Sequence, residues 1–145
     1  MQIDLMKYLR ADEQLSQLLG SHNERPLVDF VTRPVGSKAL PALVMNSIIP
    51  PHNISQDGQD ELQSTRMQLS FFSKTYAEGR KAFDRVEAML TPKSADFVKI
   101  TGESCIIERV TFEGARDLDE SDLDGVGAVF HLESDFIIWH RPLAS

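Results

Sequence analysis

The apolar positions of this chain change period once within a single stretch, residues 65–90. Met67, Leu69 and Phe71 alternate with Arg66, Gln68 and Ser70, the two-residue period of a strand with one buried face. Beyond Ser73 and Lys74 the apolar positions Gly79, Ala82, Phe83, Val86, Met89 and Leu90 recur every three or four residues, one stripe of a helix. Thr75 suits the helix N-cap, with Glu78 three residues later as in a capping box, and Pro92 stops the helix. A half-buried strand that leads into a helix able to lie on it is the nucleus of a two-layer domain.

The same reading extends to both sides. Residues 3–19 carry a helical apolar face, Ile3, Leu5, Met6, Leu9, Leu15, Leu18 and Leu19, with Gly20 as C-terminal cap. Asp12 is placed to restart a second short helix after a break at residues 11–13. Residues 21–26 read as a turn with His22 in solvent, and Leu27, Val28, Phe30 and Val31 as a short strand. Residues 42–49 read as a second strand, opened by Pro41 and ended by Pro50-Pro51. Residues 50–63 are polar and read as a mobile loop, long enough to be functional. Residues 97–100 and 104–112 read as strands, and residues 113–125 as an acidic loop.

The last element, residues 127–141, alternates for more than a dozen residues. Ala128, Phe130, Leu132, Ser134, Phe136 and Ile138 share one face; Val129, His131, Glu133, Asp135, Ile137 and Trp139 share the other. Unbroken, it would span about 45 Å, so it either bends near residues 133–135 or outruns its own domain. The expected architecture is α+β: an antiparallel or mixed sheet with two main helices packed on one face, in the order α-β-β-β-α-β-β. The two early strands have no helix between them, which argues against a parallel doubly wound sheet.

Composition narrows the function. The 145 residues suit a single domain, 1–145, large enough to bury a core without metals or disulfides. Hydrophobic residues make up 41% and charged residues 26%, ordinary values for a globular protein. A formal net charge of −7 argues against a protein that grips nucleic acid, though not against one that nucleic acid slides past. The first residues lack the basic and apolar regions of a secretion signal, and no apolar run is long enough to cross a bilayer. A soluble protein made in a cytoplasm is expected.

Candidate chemistry is sparse. Cys105 lies in an apolar, strand-like run and reads as a small buried hydrophobe. Glu120, Asp122, Asp124 and Gly125 approach a calcium-loop spacing, but that register puts Gly127 at an apolar position and His131 where a bidentate Glu belongs. His131 and His140 fall on opposite faces of a regular strand and read as surface or rim residues. Phosphate-loop, nucleophile-elbow, dinucleotide and paired-cysteine motifs are missing from the sequence. Neither catalytic residues nor metal ligands nor a cofactor are expected.

Taken together the elements resemble the small tail-completion or tail-terminator proteins of long-tailed bacteriophages and their prophages. The resemblance is carried by the N-terminal helix around Asp4, Leu5, Met6, Lys7, Tyr8 and Leu9, and by the strand opened by Pro41. It continues in the strand 65–71 that passes into the helix 77–90, and in the end, Asp135, Phe136, Ile137, Ile138, Trp139, His140 and Arg141. The acidic insertion at residues 116–124 departs from the usual pattern. The resemblance implies a non-catalytic virion protein, made in the host cytoplasm. It would form a ring, commonly a hexamer, on the head-proximal end of the tail tube. That ring ends tube polymerisation and docks the head connector, and DNA passes through it without specific binding. In that setting His52, Asn53, Gln56, Asp57, Asp60 and Glu61 of the loop are candidates to face the lumen or the tube protein. His131, Glu133, Asp135, Trp139 and Arg141 of the last strand are candidates for a contact between subunits, by strand addition to a neighbouring sheet. Two other readings are a head-side connector or neck protein, and a non-catalytic dimeric α+β binding domain of a bacterial operon. An uncharacterised small enzyme is a third.

Overall fold

The computed structural model describes residues 1–22, 25–26, 28–30, 40–53, 62–92, 98–120 and 129–143. Helix α1 spans Gln2–Arg10 and α2 spans Glu13–Leu18. The break between them falls where the sequence places it, and the Asp12 carboxylate accepts from the Leu15 amide at 2.8 Å to start α2. Strands β1 (Ser21–His22) and β2 (Arg25–Pro26) form a small antiparallel ribbon where a turn is expected. β3 is Val28–Phe30, β4 Ala42–Asn53 and β5 Gln63–Ser73. Helix α3 is Tyr76–Leu90, capped by the Thr75 hydroxyl, which accepts from the Glu78 amide at 3.3 Å. β6 (Ile100–Thr101), β7 (Cys105–Glu120) and β8 (Val129–Pro142) complete the described elements.

Six of the described strands form one sheet in the order β3-β4-β5-β8-β7-β6. The architecture is α+β with a mixed sheet. β3 runs parallel to β4 and every other pair is antiparallel. The two early strands are thus neighbours, but they point the same way. Apolar period marks each strand and carries nothing about their relative direction.

All three described helices cover one face. Leu5, Leu9 and Leu15 from α1 and α2, and Ala82, Phe83, Val86 and Leu90 from α3, pack on Met67, Leu69, Phe71, Leu132, Phe136 and Ile138 of the central strands. The Phe71 and Phe83 rings meet edge to face, with centroids 5.8 Å apart. Gly79 faces the end of β5; a Cβ there would lie 2.6 Å from the Ser73 hydroxyl. The interior glycine costs the helix about 1 kcal/mol against alanine, and it permits that approach.

Three expectations about the connections are corrected. β4 runs through Pro50-Pro51 to Asn53, with register shifts between Ser47 and Ile49 and between Ile49 and His52. Beyond Met45 the described strands pair with β4 on one side only, so its irregular outer half tolerates prolines. The loop expected at 50–63 is correspondingly shorter: residues 50–53 and Gln63 are strand, and 54–61 lie outside the described residues.

The acidic segment 113–125 is strand as far as Glu120. Its residues have poor strand propensity, but pairing along β8 overrides that. Arg116, for example, faces Glu133 and bonds it at 2.7 Å. Gly114, at φ 151°, occupies the register shift after Phe112, opposite Asp135. This irregularity lies beside the stretch where a bend of the last strand is expected.

β8 itself does not outrun the sheet. It is matched by β7 from Val129 to Pro142 on one side and by β5 from Phe130 to His140 on the other.

Candidate functional site

The alternation of the last strand holds. Leu132, Ser134, Phe136, Ile138 and His140 of β8 point to the helices; His131, Glu133, Asp135, Ile137 and Trp139 point to the opposite face. Both backbone edges of β8 are used within its own sheet. Strand addition by β8 to a neighbour is therefore closed, although its side chains stay where parity places them.

On the face opposite the described helices these side chains bond within the plane of the sheet. Glu133 holds Arg116, Arg66 reaches Asp135 at 3.3 Å, and Arg141 bonds Glu108 at 2.6 Å. His131 stacks on Phe72 with ring centroids 4.4 Å apart and is 8% exposed. Of the five candidate residues only Arg141 is well exposed.

His140 is also buried, at 6% exposure, so the expectation of two surface histidines is corrected. Periodicity assigned their faces correctly but could not show that both faces bury them. His140 Nε2 and Thr65 Oγ1 share a hydrogen bond of 2.8 Å, and burial pushes the imidazole down to about 4. The pair lines a cleft of about 390 Å³ with Gln63, Ser104 and Cys105. Cys105 is buried as expected, and burial pushes its thiol up. At neutral pH the cleft therefore presents a neutral thiol and a neutral imidazole; the Met1 amino group that also lines it favours the thiolate, but burial outweighs that effect.

Of the loop candidates, His52 and Asn53 are the last residues of β4, paired with Ser64 and Gln63. Gln56, Asp57, Asp60 and Glu61 lie outside the described residues, as do Asp122 and Asp124 of the calcium-like spacing. The side chain of His22, expected in solvent, lies outside the described side chains. No group of three or more His, Cys, Asp or Glu among the described residues could hold a metal ion. No described helix is long and apolar enough to cross a membrane.

A feature missed by the sequence reading is the shape of the sheet's two ends. Each ends in a stub beside a long strand. β6 covers only Ile106 and Ile107 of β7, and β3 covers only Leu43, Val44 and Met45 of β4. The sequence signal was available in the short apolar runs, but nothing in it said which strands would be outermost.

No protein-family model matches the chain, and no curated protein matches it. A solved structure does resemble it, a chain described as "Virion of native gene transfer agent (GTA) particle", with a TM-score of 0.64. The two share 17% sequence identity, and the match covers 97% of this chain and 93% of the other. At that identity the likeness shows a common fold over nearly the whole of both chains.

Proposed function

We propose that this chain is a structural protein of a phage-like virion that forms a ring at the head-proximal end of the tail tube, ends tube polymerisation and prepares the tail for joining to the head. The observation that carries this reading is the fold likeness to a chain of a virion particle over nearly the full length of both. The order of elements, which resembles tail-completion proteins, supports it independently. The role is one of assembly rather than catalysis. In this reading the end of β4, with His52 and Asn53, and the segment that follows, with Gln56, Asp57, Asp60 and Glu61, face the lumen or the tube protein. The net charge of −7 suits a passage that does not retain DNA.

Deleting the gene from the phage or prophage that carries it tests the role. Overlong tails with unattached heads, seen by electron microscopy, are the expected result. Tails of normal length that fail to join heads would instead assign the chain to the neck. Light scattering of the purified protein at high concentration should give a ring-sized mass, and a dimer at every concentration would favour a dimeric binding domain.

A further inference from the structure

We propose that copies of this chain join edge to edge, with β3 of one copy pairing with the open edge of β7 of the next. This rests on the ring reading and names the contact that closes the ring. Following the register, β6 lies level with His140, Gln63 and Asn53, at one end of the strands. β3 lies level with Leu69, Ser70 and Phe71 of β5, six or more residues further along, which is about 20 Å. The two stubs therefore occupy different heights on opposite ends of the sheet. Beyond Ile107 no described strand covers the outer edge of β7, and beyond Met45 none covers that of β4.

A second copy brought alongside in the same orientation fills both steps at once. Its β3 comes level with Ala115, Arg116 and Asp117 of the first copy's β7, while β6 of the first stands above it, beside the open part of the second copy's β4. β7 runs opposite to β4, and β3 runs with β4, so the new pair is antiparallel, the pairing with perpendicular hydrogen bonds. Asp29 of the second copy falls level with Arg116 of the first. Each already has a partner in its own chain, Arg10 at 3.2 Å and Glu133 at 2.7 Å, so the contact joins two existing ion pairs. Arg10 Nε also bonds the Val28 carbonyl of β3 at 2.9 Å, and a neighbour's amide pairing with that carbonyl takes the place of this bond. The two surfaces are different, so the contact is head to tail, the kind that generates a ring when the rotation between copies closes. Two copies related by a two-fold axis would instead set β7 against β7.

Cysteines at Asp29 and Arg116 in one chain test this. Within a chain the two positions are four strands apart, about 19 Å, far beyond disulfide reach. Oxidation of the assembled protein should give a covalent ladder on a non-reducing gel, whereas D29C and R116C alone should stay single chains. A second pair, Phe30→Cys with Ala115→Cys, keeps the test open should the first disturb folding. An oligomer of ring mass in which neither pair cross-links overturns this contact and leaves the ring reading standing. Covalent dimers from R116C alone, or a monomer at every concentration that is also absent from purified tails, overturn both.

Discussion

Asp4 and Ser104 are one hundred residues apart in sequence and hydrogen-bonded in the fold. The Asp4 carboxylate, 4% exposed, accepts from the Ser104 hydroxyl at 2.7 Å and from the Ser104 amide at 3.0 Å. It also takes the amides of Glu103 at 2.9 Å and Cys105 at 3.1 Å. One side chain of α1 thus satisfies the turn that leads into β7, which fixes the first helix to the β7–β6 end of the sheet.

Asp4→Ala should cost about 3 kcal/mol, because the amides and hydroxyl that Asp4 holds lose a charged acceptor. In thermal melts this should appear as a fall of about 10 °C. Gly102→Ala should have a similar effect, since a Cβ there would lie 2.2 Å from the Asp4 carboxyl carbon. Wild-type stability from G102A would mean that the clasp contributes little.

Acid should weaken the same clasp. Burial by itself favours the neutral acid, but the hydrogen bonds from Ser104, Glu103 and Cys105 outweigh it and hold Asp4 well below the usual carboxylate range. A depressed carboxylate contributes stability above its unfolded pKa, about 3.9, and that stability is lost as pH falls below it. Urea midpoints between pH 5 and pH 3 should drop more steeply for wild type than for Asp4→Ala.

His140 acts over a higher window. Its folded pKa of about 4 lies below the unfolded value near 6.5. The folded state therefore takes up its proton later than the unfolded state. Stability is full above about pH 6.5 and declines toward pH 4. His140→Gln should flatten the slope of Tm against pH between 6.5 and 4.5, and an unchanged slope would refute the buried, neutral imidazole.

Arg85 ties α3 to the cap of α2, with bonds of 2.9 and 2.7 Å to the two oxygens of Asp12. The Arg85 bond is the main reason that the Asp12 carboxyl is held low. Asp12→Ala removes both the cap and the ion pair and should cost about 2 kcal/mol; Arg85→Met should cost about 1. A double-mutant cycle by urea denaturation should give a coupling energy of about 1 kcal/mol. Additive effects would show that the pair is only a surface contact.

Phe83 and Phe112 should differ sharply, although their rings are 5.8 Å apart. Phe83 is 1% exposed and Phe112 is 38% exposed. Phe83→Ala should cost about 3–5 kcal/mol and Phe112→Ala about 1. Equal losses would place Phe112 inside the core.

Local pattern determined much of this protein. The alternation of Met67, Leu69 and Phe71, the stripe from Gly79 to Leu90, the caps at Asp12 and Thr75, and the two faces of the last strand all follow from periods of a few residues and are all present in the fold. Neighbours decided the rest. Sheet order is a matter of pairing between distant segments, and no period encodes it, so only the tertiary structure places β8 in the middle of the sheet rather than at its edge. The same pairing carries a strand through Pro50-Pro51 and along the acidic segment to Glu120. Burial of a polar group depends on what lies across from it. His131 under Phe72, His140 against Thr65 and Asp4 beneath the Ser104 turn are legible as polar residues in sequence and as buried ones only in three dimensions.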